Sequence, residues 1–135
     1  MNWKKFVLAA VVVFVVNNLG GFVIHGMLLQ ADYAQYPNLL RTQEEAQAYF
    51  PYMLLQFFFF SLGFVWIYAQ GVEDKPWLGQ GIRFGLAVWL ITSVSTFLTF
   101  YAVQPWSGTV VAKQIGFELV ERLLLGVAVA AFYRK

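Results

Sequence analysis

The chain has no cysteine and a single histidine. Without thiols there is no disulfide, no thiolate metal site and no disulfide-exchange chemistry. One imidazole cannot form a bis-histidine site within one chain, and no carboxylate–histidine spacing of metal type accompanies His25, so no metal and no cofactor is expected. Charge is also scarce. Only 12% of residues are charged and 60% are hydrophobic, whereas a soluble domain carries roughly a quarter charged residues. The missing charge is what a water-facing surface would have required, which points to the lipid bilayer as solvent. The net charge is +2, but the cations sit at the ends of apolar runs and form no basic stretch with interleaved aromatics, so nucleic acid is not an expected partner. Gly-rich phosphate loops, nucleophile elbows and catalytic carboxylate pairs on separate loops are absent as well. No enzyme class is indicated.

What the chain does have is long uncharged runs. With 135 residues there is room for one domain, and charges divide it into four candidate spans at about 6–29, 51–70, 83–104 and 110–133, each long enough for a hydrocarbon core of ~30 Å. The first begins after Lys4 and Lys5 like a signal peptide. It lacks a small-x-small cleavage motif, however, and stays apolar through Phe22-Val23-Ile24 to Leu29, which favours a retained helix. The outer loop 30–50 is the one sizeable extramembrane segment. Its Thr42-Gln43-Glu44-Glu45 has capping-box spacing, so a short helix is predicted from about 43, leading to Pro51 at the first turn of the second span. The other connections are short, which makes sequential helices antiparallel neighbours. The predicted fold is all-α: an integral membrane four-helix bundle, up-down-up-down. Leu62-Gly63-Phe64-Val65 and Leu125-Gly126-Val127-Ala128 are similar enough to suggest two tandem helical hairpins.

Orientation follows from the cations. Lys4, Lys5, Lys75, Arg83, Arg134 and Lys135 fall on one side, Arg41 and Lys113 on the other, which places both termini in the cytoplasm. Aromatic belts agree, with Trp3, Trp66, Tyr68, Trp77 and Tyr133 at the inner interface. Tyr33, Tyr36, Tyr49, Tyr52, Tyr101 and Trp106 belong to the outer one.

Polar groups inside the spans are costly and therefore informative. At about 1.5 Å per residue, His25 lies roughly 6 Å and Asn18 roughly 17 Å below the outer interface, seven residues apart and hence on one face. Gln56 lies about 10 Å down, Thr99, Ser95 with Thr96, and Thr92 form a stripe at roughly 7, 13 and 18 Å, and Gln114, Glu118, Glu121 and Arg122 share a face of the fourth span. All four spans thus bring polar groups into the outer half, while the inner half is apolar. Asn18, His25, Gln56, Thr96, Glu118, Glu121 and Arg122 are the candidate ligand- or proton-binding residues. Glu118 and Arg122 have ion-pair spacing, which leaves Glu121 to another partner or a proton. The competing reading is hydrogen-bonding glue that fixes helix register. Gly81-Ile82-Arg83-Phe84-Gly85 is a GxxxG pattern suited to close helix contact, and the Phe57 to Phe60 run reads as lipid-facing and core-filling surface.

The segments Phe22-Val23-Ile24-His25-Gly26, Tyr49-Phe50-Pro51-Tyr52-Met53-Leu54, Lys75-Pro76-Trp77-Leu78-Gly79-Gln80-Gly81 and Tyr101-Ala102-Val103-Gln104-Pro105 carry a resemblance. Over nearly its full length the chain resembles a family of small bacterial four-span integral membrane proteins of uncharacterised function. The resemblance implies an inner-membrane location, and relatives with His at the position of Gln56. Three functions compete on these grounds. The first is a small-ligand-binding or accessory subunit with a polar pocket in the outer half of the bundle, taking an amphiphilic ligand or forming a homo-oligomer. The second is a proton- or ion-coupled transporter using Glu118 or Glu121, and the third an intramembrane acid–base enzyme built on His25.

Overall fold

Three of the helix starts are set by a local polar cap. Asn2 Oδ1 accepts from Lys5 N at 3.0 Å, opening α1 (Trp3–Gly21). Thr42 and Glu45 form the reciprocal capping box of α3 (Gln43–Gly71), both bonds at 3.2 Å. Ser107 Oγ accepts from Val110 N at 3.2 Å and opens α6 (Gly108–Phe132). These elements come from a computed structural model that describes Met1–Lys135 and is helical without strands. The remaining elements are α2 (Gln30–Tyr33), α4 (Trp77–Trp89) and α5 (Ser95–Val103). Two stretches are π-helical: Phe22–Leu28 prolongs α1, and Leu90–Val94 joins α4 to α5.

Three rods, Trp3–Leu28, Gln43–Gly71 and Trp77–Val103, with 26, 29 and 27 residues, are long and apolar enough to cross a membrane. α6 has 25 residues and similar length, but carries Lys113, Glu118, Glu121 and Arg122. The predicted spans differ most at the second. Instead of a short helix from 43 followed by a span at 51, one helix runs through Pro51. Residues 41–56 are all exposed, so the Gln47 carbonyl that a proline at 51 leaves unbonded needs no protein partner. The third rod starts at Trp77, not 83, which brings Gly81 and Gly85 into helix.

The rods alternate in direction. At one end Asn2 N donates to the Tyr133 hydroxyl at 3.2 Å, Lys5 Nζ to Arg134 O at 2.7 Å, and the Arg134 guanidinium lies 4.4 Å over the Trp77 ring. Both termini and the 72–76 loop meet there. At the opposite end Tyr36 accepts from Ser107 N at 2.9 Å, and Lys113 pairs with Asp32 at 3.1 Å.

Packing is inverted relative to a water-soluble bundle. Val7, Val11, Val15 and Leu19 on α1, Leu78, Ile82 and Leu86 on α4, and Val120 and Leu124 on α6 are exposed at helical spacing. The buried faces include small residues at the helix contacts: Ala9 and Ala10 on α1, Gly81 and Gly85 on α4, Gly126 on α6. Gly81 and Gly85 lie against the α6 backbone at Gly126 and Arg122, so the two helices cross backbone to backbone. Gly63, by contrast, has nothing within 4 Å of the place a methyl group would take. Gly63→Ala is therefore expected to be neutral or to raise stability by about 0.5–1 kcal/mol, measured by thermal unfolding in detergent.

Two cores result. The larger, Ala9, Val13, Phe64, Val65, Tyr68, Val88, Leu125, Val129, Ala130 and Tyr133 among them, fills the half nearer the termini. The smaller gathers Trp106, Val110 and Val111 under Tyr33 and Tyr36. Tyr68, Tyr133 and Trp106, read as interfacial from their chemistry, are buried within the protein. Trp106 donates to Gln104 Oε1 at 2.8 Å and packs 4.6 Å from the Tyr36 ring, tying the 34–42 segment down over the helix ends.

Candidate functional site

α6 is an uninterrupted α-helix, so its i, i+4, i+7, i+8 positions stay in line. Gln114, Glu118, Glu121 and Arg122 are all buried, the last three at 7%, 5% and 9% exposure. Around this face the other rods supply partners, and three of them, His25, Thr92 and Ser93, come from the π-helical stretches. A π turn holds about one residue more than an α turn and shifts the inward face accordingly. On α4 the inward positions are Gly81, Gly85 and Val88, and the next is Ser93, five residues on rather than four. On α1 His25 lies within the Phe22–Leu28 π-helix.

His25 and Ser93 both meet Glu118. Its Oε1 pairs with His25 Nε2 at 3.2 Å, and its Oε2 accepts from Ser93 Oγ at 2.5 Å and from Arg122 Nη2 at 3.3 Å. Arg122 is equally committed: Nη1 donates to Glu121 Oε2 at 3.2 Å, Nε to Thr92 Oγ1 at 3.4 Å, and its guanidinium lies 4.8 Å over the Phe60 ring. The far side of His25 is held from α2. Nδ1 is 2.6 Å from the Tyr33 hydroxyl, which also accepts from Gln114 Nε2 at 3.1 Å. With a neutral imidazole, Tyr33 donates to Nδ1 and Nε2–H donates to Glu118, so one tautomer satisfies both bonds. Burial pushes the Tyr33 hydroxyl above its ordinary pKa, the Gln114 bond opposing and the Glu118 and Asp32 charges reinforcing the shift, and the phenol remains a donor at neutral pH.

The result is a bonded chain: Tyr33, His25, Glu118, Arg122, Glu121. Two carboxyls face one guanidinium and one imidazole, so the Arg122 charge alone does not balance both carboxylates. Glu121 departs from the pattern. Its Oε1 is buried and has no hydrogen-bond partner. That oxygen lies against Gly20, where a methyl group would stand 2.6 Å away. Gly20 and Glu121 also line a groove of about 390 Å³ between α1 and α6, whose other walls are Val16, Leu19, Val23, Ile24, Leu28, Phe117, Val120 and Leu124. None of the four principal cavities is lined by His25, Tyr33, Ser93, Glu118 or Arg122. Access to the polar chain through these cavities is at Glu121.

Of the seven sequence-derived candidates, His25, Glu118, Glu121 and Arg122 converge. Asn18, Gln56 and Thr96 do not. Asn17 takes the inward position, in line with Ala10 and Val13 at helical spacing, and leaves Asn18 half-buried. Gln56 is exposed because α3 buries side chains only from Ser61 onward. Thr96 is exposed because the π turn rotates α5, and Ser95 and Thr99 bond carbonyls of their own helix. Ser93 enters the site unannounced by its spacing; only the phase shift of a π turn brings it there. Tyr33, which its chemistry assigns to the outer aromatic belt, also reaches the polar chain through its hydroxyl. No protein-family model, curated protein or solved structure matches the chain.

Proposed function

We propose that the chain is a four-span integral membrane protein that binds a small amphiphile drawn from the bilayer, its polar head bonded to Glu121. The observation that carries this reading is the buried, unpartnered Glu121 Oε1 at the floor of an otherwise apolar groove. An unsatisfied carboxylate oxygen in such surroundings costs free energy that a donor from a ligand would offset. A head group that donates, a hydroxyl or an ammonium, fits an oxygen whose sibling already accepts from Arg122.

The fourth span is supported by the direction of α6's charges. Glu118, Glu121 and Arg122 face inward and are paired, while Val120 and Leu124 face outward, so below Lys113 α6 offers lipid an apolar surface. Six of the eight cations distributed by topology lie at the end shared by the termini, which supports cytoplasmic termini, and the family resemblance supports a bacterial inner membrane. The apolar core around Val13, Val65, Leu125 and Val129 fills the half between the polar chain and that end. It offers no polar route and speaks against coupled transport of protons or ions.

In nanodiscs, decanol and decylamine should compete for the groove, with methyl decyl ether weaker by about tenfold or more for want of a donor. Leu124→Trp, at an exposed groove position, should abolish binding without lowering the unfolding temperature. Equal binding of the ether, or undiminished binding to Leu124→Trp in saturation-transfer NMR, would count against the reading.

A further inference from the structure

A second site lies at the opposite end, away from the polar chain. Between the end of α3 and the start of α4 is a cleft of about 600 Å³ lined by Ile67, Tyr68, Gly71, Glu73, Lys75, Gln80, Arg83 and Phe84. A smaller cleft of about 210 Å³ shares Tyr68, Glu73, Lys75 and Gln80 with it and continues to Arg134 and Lys135. Three features set this place apart from a scatter of terminal cations.

First, it is preformed. Gln80 accepts from Glu73 N at 2.9 Å and donates to Glu73 O at 3.0 Å and Lys75 O at 2.8 Å, so one side chain clamps the 72–76 loop to α4. Second, its charge is unbalanced. Lys75 is paired with Glu73, but Arg83 has no ion-pair partner, and Arg134 and Lys135 outnumber Asp74 in the adjoining cleft. Third, Tyr68, which borders both clefts, is 4% exposed, and its buried hydroxyl has no hydrogen-bond partner. An unsatisfied buried hydroxyl on one wall of the cleft and an unpaired guanidinium on another suit an oxyanion, because Arg83 supplies the charge and Tyr68 a donor. Ile67, Leu78 and Ile82, all exposed nearby, present apolar surface toward the hydrocarbon.

We infer that this cleft binds a phosphate group, held by Arg83, Lys75 and the Tyr68 hydroxyl, and that the phosphate is the headgroup of an anionic phospholipid. The site is independent of the Glu121 groove and stands if that groove proves empty. The test is native mass spectrometry and lipid exchange on the full chain in nanodiscs of phosphatidylglycerol mixed with phosphatidylcholine. Wild-type protein should retain phosphatidylglycerol preferentially. Arg83→Gln and Lys75→Gln should each weaken that preference about fivefold, and Tyr68→Phe should weaken it at unchanged net charge. Lys4→Gln removes the same charge at the same end but outside the cleft, and should leave it unaltered. Equal losses in Lys4→Gln and Arg83→Gln, with none in Tyr68→Phe, would overturn the site in favour of diffuse attraction. Displacement of the lipid by millimolar inorganic phosphate or glycerol phosphate would keep the phosphate chemistry but overturn the lipid assignment in favour of a soluble ligand.

Discussion

Arg122→Leu is expected to lower stability by about 3–5 kcal/mol, enough to prevent isolation of a folded chain. The guanidinium is the one group that touches both Glu118 and Glu121, and it also bonds Thr92 and covers the Phe60 ring. Removing it leaves two buried carboxyls with the His25 imidazole and the Ser93 hydroxyl as remaining partners, both on Glu118. The loss is that of stranded charge, not of the ion pairs themselves, and this separates two explanations. If stranded charge is the cause, Glu118→Gln and Glu121→Gln placed on the Arg122→Leu background should restore most of the stability, because neutral amides do not require a counter-charge. If shape is the cause, the triple variant should be as unstable as the single one. Unfolding in mixed detergent micelles, followed by helical circular dichroism, decides between them.

Gly126→Leu is the second large effect, on the order of 3 kcal/mol or more, and of a different origin. A side chain at Gly126 meets the Gly81 carbonyl and the Gly85 amide nitrogen, both backbone atoms that cannot rotate away. The whole helix pair has to separate, which puts the cost at the upper end of the overpacking range. Separation would also move Val88 and Ser93 outward and take the Ser93 hydroxyl from Glu118. Gly116 provides the control: it lies on the same helix with nothing within 4 Å of an added methyl group. Gly116→Leu should melt like wild type. Matching losses at the two glycines would show that helix flexibility, and not the crossing, governs stability.

The parts of this architecture that are legible in the sequence are those governed by charge gaps and plain α-periodicity. The three long apolar rods, the Thr42–Glu45 cap and the common face of Gln114, Glu118, Glu121 and Arg122 all belong to that class. The discrepancies share a cause too. Where a rod contains a π-helical stretch, spacings counted at 3.6 residues per turn drift by a residue, so they turn Thr96 inward and leave Ser93 out. Asn17 and Asn18 are adjacent, and counting back seven from His25 selects the wrong one. Gln56 fails for another reason: polarity marks a residue as costly in lipid, but not whether its helix reaches the bundle at that height. Tyr68 and Trp106 have interfacial chemistry, yet each is covered by other rings, Phe84 in one case and Tyr33 with Tyr36 in the other.

The inward charge of α6 has a consequence for biogenesis. Two glutamates and an arginine near the middle of one helix oppose its insertion by roughly 2.5–3.5 kcal/mol each for the charged types measured, more than its leucines and valines return at about 0.3–0.6 each. Lipid alone would therefore reject the helix. It becomes acceptable only alongside segments that already hold His25 and Ser93, and both precede it in chain order. On the proposed four-span reading, α6 is recruited by protein rather than by lipid, and a ribosome that stalls before it emerges would leave three spans around an unfilled seat.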